Sequence, residues 1–185
     1  MKDFYRTNLS FSLCGLNCGL CPMRLDGYCP GCGGGAGNQS CAIAKCSLQH
    51  DKVEYCFRCT EYPCRRYEGI DEYDSFITHQ RQLKDIARAQ EIGIESYNEE
   101  QAKKAGILHT LLSDYNDGRR KTFYCVAVNL LPLQDIENVI NQVAEDISFK
   151  NLTMKEKAEK VVSLFQNLAV QQGLALRLRK KPVKE

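Results

Sequence analysis

Cys14-Gly15-Leu16-Asn17-Cys18-Gly19-Leu20-Cys21-Pro22, then Cys29-Pro30-Gly31-Cys32, then Cys56-Phe57-Arg58-Cys59, decides how the first third of this chain folds. Each C-x₂-C pair puts two sulfurs on either side of a tight turn, where both can reach one ion. Gly19 and Gly31 lie inside the turns, and Pro22, Pro30 and Pro63 stand beside cysteines. Of the eleven cysteines in 185 residues, ten fall between Cys14 and Cys64, and only Cys125 lies beyond. Such density belongs to disulfide scaffolds and to metal-binding modules. The polar start, Met1 to Ser10, has no apolar stretch of signal-peptide length, and no window reaches the roughly 18 apolar residues of a membrane span. A cytoplasmic chain without a membrane partner is therefore expected, and in that compartment clustered thiols read as metal ligands before disulfides.

The candidate ligands are Cys14, Cys18, Cys21, Cys29, Cys32, Cys41, Cys46, Cys56, Cys59 and Cys64. Zinc takes four such sulfurs at about 2.3 Å in a tetrahedron. Ten sulfurs suit two such sites with two left over, so two Zn²⁺ ions are the expected cofactors. Spacing leaves the grouping open; one arrangement joins Cys18/Cys21 to Cys29/Cys32 and Cys41/Cys46 to Cys56/Cys59. His50 can complete a Cys₃His site, although a solvated loop histidine explains it more simply. Thiolates alone do not separate zinc from an iron–sulfur cluster, which stands as the alternative cofactor, with a redox or enzymatic role. Cys14-x₃-Cys18-x₂-Cys21 also has the spacing of radical S-adenosylmethionine enzymes. Those are built on a partial (β/α) barrel, and no strand–helix alternation follows here.

Residues 1–66 read as loop. Eight of the thirteen glycines precede Asn38, and large aliphatic groups are few, so cross-linking metal is expected to hold this segment. The glycine run from Gly31 to Gly37 lacks the Gly-Lys-Ser/Thr ending of a phosphate loop and reads as a flexible connection. From Glu68 the period becomes helical. Ile70, Tyr73, Ile77, Leu83 and Ile86 predict a helix over 71–91, ended near Gly93. Ser96 with Glu99 reads as a capping box for a helix running to Tyr115, stopped by Asn116-Asp117-Gly118. The apolar run Thr122–Leu131 suits strand or helix, and its neighbours favour helix. Pro132 then opens a helix through Ile147. Thr153 and Glu156 cap another that Gly173 ends, and Leu174–Leu178 read as a short strand or extended tail. The expected fold is mainly α: a loop-rich, metal-stapled module over residues 1–66 and an all-α helical bundle over 67–185.

No catalytic triad or carboxylate pair stands out, so catalysis is not expected. His79 and His109 lack an acid partner at helical spacing, and Cys125 sits in an apolar helix as a small hydrophobe. The net charge of +2 argues little for nucleic acid. Two zinc ions on eight thiolates would bring it to about −2. Arg58, Arg65 and Arg66, and the terminal Arg177, Arg179, Lys180, Lys181 and Lys184, are better read as charge balance and a solvated tail. An unidentified protein partner is expected first, with nucleic acid second. Polar Asn116, Asp117, Arg119, Arg120 and Lys121 beside Phe123 and Tyr124 suggest either a ligand cleft or a capped turn with packed aromatics.

The three cysteine motifs, with Tyr62-Pro63-Cys64, resemble the bacterial and archaeal family called domain of unknown function 3795. The similarity continues through Tyr115-Asn116-Asp117-Gly118-Arg119, Phe123-Tyr124-Cys125 and Leu130-Leu131-Pro132-Leu133. That family is described as zinc-binding. The resemblance implies a cysteine framework and a cytoplasmic setting, and no reaction.

Overall fold

Proline, glycine and cysteine leave little room for regular structure before Gln82. The computed structural model describes residues 1, 3–35 and 40–182, and has only two short helices there, α1 (Pro22–Leu25) and α2 (Ala42–Ser47). Single 3₁₀ turns occupy Cys18–Leu20, Cys56–Arg58 and Arg65–Tyr67. Two of them close C-x₂-C pairs: the Cys21 N–H donates to the Cys18 carbonyl at 3.2 Å, and that of Cys59 to Cys56 at 2.9 Å. Five longer helices follow: α3 (Gln82–Ile92), α4 (Ile94–Asp114), α5 (Lys121–Leu130), α6 (Leu133–Glu145) and α7 (Met154–Gln171). Among the described residues there is no strand, only an isolated bridge between Tyr5 and Gly34. The fold is mainly α, with a loop-rich cysteine region at its start.

Two local expectations are corrected. Residues 71–81 are not helical, although their apolar spacing suggested it. The Asp74 carboxylate accepts from the His79 N–H at 2.6 Å, Gln80 Nε2 at 3.0 Å and Thr78 Oγ1 at 3.3 Å, folding the segment into a side-chain-bonded loop. Ser96 caps nothing, because α4 begins at Ile94, directly after Gly93. Of the two readings of Leu174–Leu178, the tail holds and the strand does not. Other signals hold: Thr122–Leu131 is helical, Pro132 precedes α6, and Thr153 with Glu156 makes a reciprocal capping box on α7.

The chain divides into two units, Met1–Gln101 with Leu178–Glu185, and Ala102–Arg177. The division falls within α4 and not at residue 66, because α3 and the start of α4 supply the core of the cysteine-rich region. Phe11, Tyr55 and Tyr67 from the loops are buried with Ile86, Ala89, Ile94 and Tyr97 from the helices. Phe4, Leu13 and Ala44 form a smaller second cluster. The loops thus have more apolar cover than their own composition suggested, most of it aromatic or borrowed. At the other end, Arg179 returns to the first unit, where its N–H donates to Asp74 Oδ2 at 2.6 Å.

The second unit is a helical core. Every residue of α5 from Tyr124 to Leu130 is buried. Ile136, Val139 and Val143 of α6, and Ala158, Val161, Val162, Phe165 and Ala169 of α7, are buried as well. Lys104 is 3% exposed, and its ammonium donates to the Leu131 carbonyl at 2.7 Å, covering the end of α5. The Tyr115–Pro132 segment is a capped turn with packed aromatics. Asn116 Oδ1 accepts from the Gly118 and Arg120 N–H groups at 3.1 Å each, and the Tyr124 hydroxyl donates to the Tyr115 carbonyl at 2.7 Å.

Candidate metal centre

All eleven cysteines are free thiols. Four of them, Cys46, Cys56, Cys59 and Cys64, line one small cavity of about 30 Å³, together with His50 and Tyr67. That is room for a water-sized body or an ion. The elements that bring these sulfurs together are short. Cys46 lies on α2, Cys56 and Cys59 close a 3₁₀ turn, and Cys64 precedes another. The Cys56 N–H donates to the Leu13 carbonyl at 2.9 Å, pinning this turn to the Cys14 loop. Burial pushes the Cys56 thiol up to about 12, opposed by the neighbouring Tyr67 hydroxyl, and Cys14, Cys64 and Cys46 add to the rise. A thiolate formed there has further cysteine sulfurs as neighbours, and the repulsion among such thiolates is what a divalent cation relieves.

A second group forms around Cys14, Cys18, Cys32 and Cys41. Burial raises Cys14 to about 11, with Cys32 and Cys41 as the charges that raise it further. Cys18 rises to about 12 by burial, then by Cys32 and Cys14. Cys32 is raised by burial and drawn back by Arg6. Cys21 and Cys29 lie beside each other, with Cys21 also next to Cys18. Cys32 is thus a neighbour of Cys14 and Cys18, Cys64 and Cys46 are neighbours of Cys56, and Cys14 adjoins both sets. Among the described residues, no three His, Cys, Asp or Glu side chains stand in a finished metal-holding arrangement.

Packing fixes the Cys14–Cys18 loop firmly. Gly15 has φ +98° and lies against α3, where a Cβ would meet the Gln82 carbonyl oxygen at 2.8 Å and Ile86 Cβ at 2.9 Å. Gln82 Nε2 donates to the Cys14 carbonyl at 3.0 Å. Asn17 is 3% exposed; its Nδ2 donates to Asp85 Oδ2 at 3.0 Å and its Oδ1 accepts from the Tyr97 hydroxyl at 3.1 Å. Arg81 Nε donates to the other Asp85 oxygen at 3.2 Å. Sequence reading missed this network. Its one clue was Asn17 between two cysteines; Asp85 and Tyr97 carry no signal until α3 and α4 are folded.

Arg6 was likewise missed. Its side chain is 2% exposed, and Nε donates to the Glu54 carbonyl at 3.0 Å and Nη1 to the Phe11 carbonyl at 2.8 Å. Nη1 also reaches the Cys32 carbonyl at 3.5 Å. Its guanidinium lies 5.0 Å from the Tyr55 ring centroid.

The remaining candidates are accounted for locally. His50 stands in the cavity wall and approaches Glu61 at 4.0 Å. Cys125 is buried in α5, as a small hydrophobe should be. The His79 ring lies 3.0 Å from Ser75 Oγ and 3.1 Å from the Ile70 carbonyl. Arg58 packs over Tyr55 and Phe57, at 5.6 Å and 6.0 Å from their ring centroids. Of the glycine run, Ala36 and Gly37 lie outside the described residues, as does Lys184 of the basic tail. No described helix is long and apolar enough to cross a membrane. No family model, curated protein or solved structure matches the chain.

Proposed function

We propose that this is a cytoplasmic zinc-binding protein whose cysteines hold two structural Zn²⁺ ions, and that it works by binding or regulating a protein partner without chemistry of its own. Cys46, Cys56, Cys59 and Cys64 would hold one ion, and Cys14, Cys18, Cys32 and Cys41 the other, with Cys21 and Cys29 beside the latter. One observation carries the reading: four free cysteines from three short elements line a single small cavity. The donor set fits the ion, since soft thiolates in fours are the structural zinc set. The buried Tyr67 hydroxyl beside that cavity makes no well-formed hydrogen bond and adjoins Cys56, whose metal-bound thiolate would be a strong acceptor. The likeness of the cysteine motifs to domain of unknown function 3795 agrees with zinc. When bound, zinc supplies cross-links between loops; the chain's own residues supply the thiolates and the turns that aim them.

The test is metal content with spectroscopy on anaerobically purified protein. Zinc in thiolate sites is colourless, whereas a broad absorption near 400 nm belongs to sulfide-bridged iron. A colourless protein with zinc supports the proposal. A brown one with iron and sulfide replaces it with the iron–sulfur reading, and binding to nucleic acid that falls steeply with salt would replace the protein partner.

A further inference from the structure

Among the described residues, four buried side-chain atoms make no well-formed hydrogen bond: Arg6 Nη2, Tyr67 Oη, Gln82 Oε1 and Gln101 Oε1. Two are acceptors. The two donors belong to residues that adjoin the two cysteine groups. Tyr67 lines the cavity shared by Cys46, Cys56, Cys59 and Cys64, and its ring is held edge-on against Tyr62 at 5.0 Å. Arg6 lies against Cys32, to whose carbonyl Nη1 reaches at 3.5 Å. Nη2 is left with only a 3.4 Å ionic approach to Glu54, a carboxylate whose side chain is 27% exposed, while that of Arg6 is 2% exposed.

Burying a guanidinium and a phenol hydroxyl with donors to spare is unfavourable unless an acceptor is meant to stand there. A neutral thiol is a weak acceptor, and a thiolate is a strong one. A zinc ion bound by four thiolates carries a net negative charge, which a buried cation and an oriented hydroxyl offset. We infer that Tyr67 and Arg6 are positioning residues for the two proposed centres, Tyr67 donating to Cys56 of one and Arg6 to Cys32 of the other. The inference rests on the metal reading above and adds to it: each centre has its own outer donor, so each can be weakened separately.

The probe is Co²⁺ titrated into the full-length chain, read by its thiolate charge-transfer and ligand-field bands, with Zn²⁺ competition for affinity. Tyr67→Phe removes only the hydroxyl. Without metal it should be about as stable as the wild type, because the deleted hydroxyl makes no well-formed hydrogen bond and faces only the weakly accepting Cys56 thiol. One of two cobalt equivalents should bind about 10- to 100-fold more weakly, with its charge-transfer band displaced. Arg6→Lys keeps the charge and loses the fork; it should weaken the other equivalent by a similar factor, and the double variant should weaken both. A merely structural role for Tyr67 predicts the reverse, a less stable metal-free chain with cobalt binding and spectrum unchanged. Wild-type protein that takes up two cobalt ions while Tyr67→Phe matches it in affinity and spectrum overturns this inference alone. Wild-type protein that takes up no cobalt overturns both this and the metal reading.

Discussion

Replacing Gly15 by alanine tests whether the first cysteine loop is seated on α3 by backbone contact. Two costs follow from the structure. At φ +98° an alanine pays for a left-handed backbone, about 1–2 kcal/mol. Its Cβ would also stand 2.8 Å from the Gln82 carbonyl oxygen and 2.9 Å from Ile86 Cβ, both fixed to the body of a helix and unable to swing away. Overpacking of that kind costs about 1–3 kcal/mol. The total is about 2–5 kcal/mol, a large share of the ~5–15 kcal/mol that stabilises an ordinary domain. Gly27 supplies the control, with φ +75° and nothing within 4 Å of a Cβ, so Gly27→Ala should pay the backbone cost alone. Urea denaturation of both variants, followed by the fluorescence of the nine tyrosines in a chain without tryptophan, measures the difference. Gly15→Ala should be less stable than Gly27→Ala by about 1–3 kcal/mol. Equal losses in the two variants would refute the close approach to α3.

Asn17→Ala should cost about 2–3 kcal/mol in the same assay, since it strips a buried partner from both Tyr97 and the Asp85 carboxylate; a loss under half a kcal/mol would dismiss the network. Thr153→Ala should cost about 1 kcal/mol through the α7 capping box, with metal uptake unchanged, and a change in uptake would contradict the separation of roles. Metal-free protein should weaken in alkali. Cys14, Cys18 and Cys56 have folded values raised by burial to about 11, 12 and 12 from an ordinary 9.0, so the folded chain holds their protons more tightly. Their contribution is complete below the ordinary value and is lost as pH climbs through the raised ones, by about 1 kcal/mol each near pH 10. Denaturation midpoints that stay level between neutral pH and pH 10 in reducing buffer would argue against burial of those thiols. Chelation should loosen the cysteine-rich segment toward protease while most of the helical circular dichroism survives; a protease-resistant segment with no bound metal would show that the cysteines are not the staple.

Much of the helical architecture was legible because it depends on local chemistry. Thr153 with Glu156, Pro132 and Asn116-Asp117-Gly118 act within a turn of themselves, so their positions in the sequence suffice. The failures have one physical origin, competition from elsewhere. Residues 71–81 carry a helical apolar pattern, but Tyr73 and Phe76 are exposed and the Asp74 side chain takes the backbone and side-chain donors of the segment. The cysteine region looked short of core because Ile86, Ala89 and Tyr97 reach it from helices later in the chain. Which residues were candidate ligands was plain from spacing. Their grouping was not, since it depends on how loops distant in sequence fold together, as where the Cys56 N–H meets the Leu13 carbonyl. Arg6 and Tyr67 carry no motif, and only their burial beside cysteines singles them out.

Metal stoichiometry bears most directly on the central claim. The full-length protein, purified anaerobically with no metal added, is assayed for zinc, iron and acid-labile sulfide against protein concentration from amino-acid analysis. Two thiolate centres predict about two zinc ions per chain, no labile sulfide and no visible colour. Protein that holds no metal while its cysteines stay reduced would contradict the account, and so would iron with sulfide in place of zinc.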